Sequence, residues 1–232
     1  MYFDYSVDNT IGMISLRDSK NKKISSPQTV NFSELNKFLE KSSLKGILLQ
    51  NSCQNFNNTI DPVFLEVNNT LEKVMKSIHQ ATIPVAAAIQ GSCSTIGLLS
   101  SLACHFRFAT DSAQFDFSQF SEKALALSER LISWQGIRKS DEILSLIKSG
   151  TTLSAEQAHT IGLVDFVITD DDAETKARDF FEALTKKRSP HLIRTIMQSI
   201  HNSNLLNNEE ALLQESILFD GIVKGRISNS DF

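Results

Sequence analysis

The chain has 232 residues, 41% of them hydrophobic and 22% charged, with 23 Lys and Arg against 27 Asp and Glu for a formal net charge of −4. That length supports one domain with a core of its own, and the apolar fraction excludes a disordered chain. The mild negative charge offers no general attraction to nucleic acid or to an anionic membrane surface, and no stretch reaches the roughly 20 apolar residues of a membrane span.

Taken in chain order, Tyr5, Val7 and Ile11 to Leu16 suit a β-hairpin. Asp18 to Gln28 is polar, lysine-rich and contains Pro27, so it is expected to be a loop. Phe32, Leu35, Phe38 and Leu39 fall at helical spacing, and Gly46 to Gln50 reads as a short buried strand. Asn51 to Asp61 is polar and irregular. A helix is expected from Pro62 to His79, with Phe64, Val67, Leu71, Val74, Met75 and Ile78 on one face. The longest apolar run, Ile83 to Ile89, contains Pro84, after which Val85 to Ile89 reads as a second buried strand. Thr95 to Cys104 is small and apolar without alternation and reads as a buried helix. Phe106 to Ala109 and Gln114 to Phe117 are short strands. Helices follow over 122–132, 140–149 and 154–161, a last strand over 164–169, and helices over 172–185, 190–203 and 209–223. Strands alternating with helices argue an α/β fold.

The start, MYFDYSVDNT, has neither the basic segment nor the apolar stretch of a signal peptide. Cys53, Cys93 and Cys104 are odd in number and widely spaced. They read as free thiols of a reducing compartment rather than a disulfide frame or zinc site, so a cytoplasmic protein with no metal is expected.

The segment IPVAAAIQGSCSTIGLLSSLACHFRFATDSAQFDFSQF, residues 83–120, resembles the signature of the crotonase (enoyl-CoA hydratase/isomerase) superfamily. A Pro-led strand (Pro84) runs into a glycine turn (Gly91), a small-residue helix (Gly97 to Cys104) and an Ala-x-Phe segment (Ala113 to Phe115). Ser149-Gly150-Thr151, Ser154 to Ala158, Gly162 to Asp165 and Ser189-Pro190 follow in the family's order, and Gly46 to Leu49 and Phe56 to Asp61 match upstream. The resemblance covers nearly the whole chain. It implies a ClpP/crotonase-like ββα spiral core, expected over 1–188, and a C-terminal helical segment, expected over 189–232. That segment would assemble the chain as a homotrimer or hexamer.

The resemblance also implies a chemistry. Two backbone N–H groups polarise a thioester carbonyl and hold the enolate oxygen, while carboxylates move protons. The first N–H would belong to Ile60, before Asp61, and the second to Ile96, in the Thr95-Ile96-Gly97 stretch that stands where the family has three glycines. The two hydratase glutamates fall at Leu99 and Gln119, and neither side chain can act as a general base. Two-carboxylate hydration at these positions is therefore excluded. Decarboxylation, in which carbon dioxide leaves without a base, or isomerisation with an unusual base remains. The alternative from another class is a catalytically inactive crotonase-fold binding or scaffold subunit.

Among the remaining candidates, Gln119 is expected to hydrogen-bond substrate, and Gly97, Leu99 and Ser128 to line its pocket with Asp116 and Glu122. Asp61 either orients the first oxyanion loop or binds substrate, or it caps the helix at Pro62. Lys20, Lys22 and Lys23 lie where relatives contact CoA phosphates, and the competing reading is a solvated lysine cluster. No permanently bound cofactor is implied; coenzyme A or phosphopantetheine would arrive as part of an acyl-CoA or acyl-carrier-protein substrate. His79 reads as a surface or capping histidine, and His105 as a packed, hydrogen-bonded one.

Overall fold

The computed structural model describes residues 2–17, 32–52, 70–118, 120, 122–134, 140–169 and 172–229. Strands β1 (Tyr2–Asp8) and β2 (Ile11–Arg17) form the expected hairpin. Then come α1 (Phe32–Leu39), β3 (Gly46–Ser52), α2 (Thr70–His79) and β4 (Val85–Gln90). After them β5 (Ser92–Ser94), α3 (Thr95–Ala103), β6 (Phe106–Thr110) and β7 (Gln114–Asp116) complete the centre. The second half is α4 (Glu122–Trp134), α5 (Ser140–Lys148), β8 (Thr152–Ser154), α6 (Ala155–Thr160), β9 (Phe166–Ile168), α7 (Ala173–Thr185), α8 (Pro190–Leu205) and α9 (Asn208–Asn229).

Six strands make one sheet in the order β1-β2-β3-β4-β6-β9, parallel throughout except for the β1–β2 hairpin. A parallel strand covered on both faces reads as a continuous apolar run, which is why Ile47-Leu48-Leu49 and Val85 to Ile89 show no alternation. Their side chains still divide by parity. Ile14, Ile47, Leu49, Val85, Ala87 and Ile89 face the main core with α1, α2 and α3. Met13, Leu48, Ala86, Ala88 and Phe108 face α7 through Ala173, Ala177 and Phe181. Two glycines mark close approaches on these faces. A Cβ at Gly12 would lie 2.9 Å from the Phe38 ring, and one at Gly46 would lie 3.2 Å from Phe181.

A second sheet, β5-β7-β8, was not foreseen from the sequence. Its three-residue strands are too short for periodicity to show. The chain reaches it through Gly91, whose φ of 70° lets β4 turn sharply into β5, and the Gly91 carbonyl accepts the Gln114 N–H at 3.0 Å. Polar residues at three helix starts act as caps. Ser154 caps α6 in a reciprocal capping box with Gln157. Asp172 caps α7 through the Thr175 N–H, and Ser189 with Pro190 starts α8. The helix expected from Pro62 is described from Thr70 onward.

The C-terminal pair stands apart. Helix α8 docks Ile193 and Met197 inward, and Arg194 donates to Thr82 Oγ1 at 2.6 Å and to the Lys41 carbonyl at 2.8 Å. Ile196 and Ile200 of the same helix are exposed. Helix α9 packs on α8 and leaves Leu212, Leu213, Ile217, Phe219 and Val223 exposed.

Candidate active site

The small-residue helix begins where β4 and β5 end. Helix α3 starts at Thr95, after Ser94 in extended conformation (φ −132°, ψ 165°), and its first turn holds no acidic side chain. The first four N–H groups of a helix have no intrahelical carbonyl, and their aligned dipoles favour negative charge there. Ile96 supplies one of those amides. No carboxylate of the same turn competes for it.

The remainder of α3 is locked in the core. Gly97 is buried. Leu99 is 0% exposed and belongs to the main core cluster with Leu98 and Leu102. The Ser101 hydroxyl donates to the Leu98 carbonyl at 2.8 Å, and the Cys104 thiol to the Ser100 carbonyl at 3.2 Å. Burial pushes the Cys104 thiol up to about 12, with Arg107 opposing. Cys93 and Cys104 are both buried.

Of the other sequence-derived candidates, Ser128 is fully buried in α4 and its hydroxyl donates to the Leu125 carbonyl at 2.7 Å. Glu122 opens α4 and is exposed. Asp116, at the end of β7, accepts the Ser118 N–H at 2.9 Å and the Thr152 hydroxyl at 3.5 Å. It thereby shapes the turn that leads to residue 119. Ile60, Asp61, Gln119, Lys20, Lys22 and Lys23 lie outside the described residues.

Two polar residues at this end of the sheet were not singled out from the sequence. Gln50 closes the apolar part of β3 and accepts a hydrogen bond from the Ser15 hydroxyl on β2. Gln90 closes β4. Ligands of open parallel sheets sit beyond the carboxyl ends of the strands, and the available signal was a glutamine ending an apolar run in both GILLQ and VAAAIQ.

The opposite end of the sheet is closed by polar contacts. Arg107 is buried and donates from its side chain to the Cys104 carbonyl (3.0 Å) and to Asp165 Oδ1 (3.2 Å). Asp165 Oδ2 accepts the Arg107 backbone N–H at 2.7 Å. His105 accepts the Val85 N–H on Nδ1 at 3.0 Å and meets the His79 carbonyl through Nε2 at 3.1 Å. This matches the hydrogen-bonded role expected for His105. His79, expected at the surface, is instead half-buried among histidine rings. Among the described residues, no group of three or more His, Cys, Asp or Glu is placed to hold a metal ion, and no helix is long and apolar enough to cross a membrane.

A parallel sheet covered on both faces, a second small sheet, and a buried helix that starts directly after β5 match an α/β protein of the crotonase class. The chain belongs to the enoyl-CoA hydratase/isomerase family, whose model matches residues 20–226. It is 26% identical over 194 residues, 76% of its length, to the peroxisomal fatty acid beta-oxidation multifunctional protein AIM1 of Arabidopsis thaliana. It is 25% identical over 151 residues, 64% of its length, to a probable enoyl-CoA hydratase of Bacillus subtilis. The matches span 26% and 57% of those two relatives. The crystal structure of an enoyl-CoA hydratase from Bacillus anthracis superposes with a TM-score of 0.71 at 23% identity, covering 96% of this chain and 91% of that one. The fold is therefore the crotonase fold, with a C-terminal helical region.

Proposed function

We propose that the protein binds an acyl-CoA or acyl-carrier-protein thioester and stabilises the enolate formed from it, as a decarboxylase or isomerase rather than a hydratase. The observation that carries this reading is the pairing of the α3 first-turn amides with Leu99, which is sealed in apolar core where the family's first glutamate aligns. The donor half of the chemistry needs only backbone. The proton-moving half has no carboxylate at that position. In this reading Ile60 and Ile96 supply the N–H groups to the developing oxygen, and Gln119 holds the substrate. Lys20, Lys22 and Lys23 would meet the phosphates of coenzyme A or phosphopantetheine.

A proline at position 96 tests the role of that amide. Proline is tolerated in a first helical turn and deletes one N–H group. Isothermal calorimetry should show saturable thioester binding in both forms. Turnover of a malonyl- or enoyl-type thioester should fall about 10²-fold or more in Ile96→Pro, the scale of one lost oxyanion donor. Unchanged turnover, or no thioester binding by the native chain, overturns the proposal.

The same missing carboxylates, at Leu99 and Gln119, favour a second reading, an inactive binding or scaffold subunit. Binding without turnover of either thioester class would select it. Under both readings the chain assembles with copies of itself through α8 and α9, because a helix with exposed apolar side chains around its surface is ordinarily covered. Light scattering should return a trimer or hexamer, and a monomer would remove that part of the reading.

A further inference from the structure

We propose that His79 at the end of α2, His105 between α3 and β6, and His201 on α8 form a proton-sensitive clasp that holds the α8–α9 pair on the core and releases it in mild acid. The three rings come from separate elements and gather within one contact shell. Their centroids are 5.8 Å apart for His105–His201, 6.0 Å for His79–His201 and 6.2 Å for His79–His105. They sit at the start of β4, about 20 Å along that strand from the α3 amides, and so are separate from the candidate active site.

The hydrogen bonds of His105 require a neutral ring. His105 Nδ1 accepts the Val85 N–H, so its proton is on Nε2, which donates to the His79 carbonyl. A second proton on Nδ1 would oppose the Val85 N–H. His201 Nε2 is buried with no hydrogen-bond partner among the described residues, and a charge there would be poorly solvated.

The groups facing the rings reinforce this. His201, His79 and Arg107 all act on His105 to disfavour its charge, and His201 does the same to His79. Opposing them is hydrogen bonding to the His79 backbone, which favours the charged form of both His105 and His201. Arg107 is itself paired with Asp165. On α8 the nearest cation toward the core is Arg194, bonded to Thr82 and Lys41 and acted on by Glu40. On α2 it is Lys76, one turn before His79. Burial, followed by these charges, holds His105 down at about 3 and His79 at about 4, and burial lowers His201.

Undocking α8 returns water to the rings, and a hydrated imidazole titrates near 6.5. The undocked form then binds more protons than the docked form. The clasp is at full strength above about pH 6.5 and weakens as pH falls toward the docked values. Each ring that is freed raises the open-to-closed ratio about tenfold between pH 7.5 and 5.5.

Hydrogen–deuterium exchange of the full chain tests this, with exchange times scaled for the intrinsic pH dependence of the chemistry. Between pH 7.5 and 5.5, protection of peptides within 190–229 should fall about 10- to 100-fold relative to peptides of β4. His201→Phe keeps an aromatic ring without a titrating nitrogen and should flatten that response by about tenfold. His79→Phe serves the same purpose if the first variant does not fold. A pH-independent ratio, an equal loss of protection in β4, or an unaltered response in the variant that folds overturns the clasp.

Discussion

The two ends of β4 put polar chemistry to opposite uses. At its start, the Val85 N–H is taken by His105, and the neighbouring Arg107 and Asp165 bond to one another and to the backbone. At its far end the chain turns through Gly91 into β5, and α3 opens with first-turn amides that its own geometry cannot pair. The difference separates the end at which the fold is fastened from the end at which the proposed oxygen site lies. Buried polar groups that bond to one another help to specify a structure, whereas the first-turn amides of a helix favour an anionic oxygen.

The sharpest break of this comparison comes from placing an acid at the active-site end. Leu99→Glu puts a carboxyl into core with no exposure. It should cost about 4 kcal/mol or more, or keep the acid protonated near neutral pH, and urea unfolding at two pH values separates these. Hydratase activity should not appear. A variant of native stability that hydrates an enoyl thioester would mean that water reaches position 99.

At the fastened end, Arg107→Leu strips Asp165 of its partner. The expected loss is about 3 kcal/mol, tempered because the Asp165 side chain is 32% exposed. A shift in urea midpoint with unchanged slope would be the signature. The same end predicts an acid response. His105, lowered to about 3 when folded, binds its proton in the unfolded chain first, so stability should decline as pH falls below about 6.5. This one ring accounts for about 2 kcal/mol by pH 5 relative to pH 7, measurable by chemical unfolding across that range and reduced in His105→Asn.

The smallest effect on stability is expected at Asp116. Asp116→Ala removes an acceptor that is partly open to solvent and should cost about 1 kcal/mol or less. Its larger consequence should be weaker thioester binding, because the turn it shapes leads to Gln119. Equal binding in the variant would detach Asp116 from the site.

Much of the fold was legible because its signals are local. The apolar runs of β3 and β4, the helical spacing of α1 and α2, the Ser189-Pro190 pair before α8, and the family order of glycine turn, small-residue helix and Ala-x-Phe segment can all be read within a few residues. The candidate site was legible only in part. The Ile96 amide follows from the start of a helix, but Leu99 and Ser128, read as pocket-lining, have other surroundings in the structure. Leu99 is packed among core residues from several elements, and the Ser128 hydroxyl bonds within its own helix.

By itself the amino-acid sequence determined the family, the order of the longer strands and the helices, and the absence of a carboxylate at positions 99 and 119, since each is a property of residue identity and short-range period. Only the tertiary structure decided that β5, β7 and β8 form a second sheet. It alone brought Arg107 to Asp165, 58 positions away, and three histidines from α2, the α3–β6 connection and α8 into one cluster. Such contacts are made by chain crossings between distant segments, and no local pattern of hydrophobicity or propensity records which distant partner a polar side chain will meet.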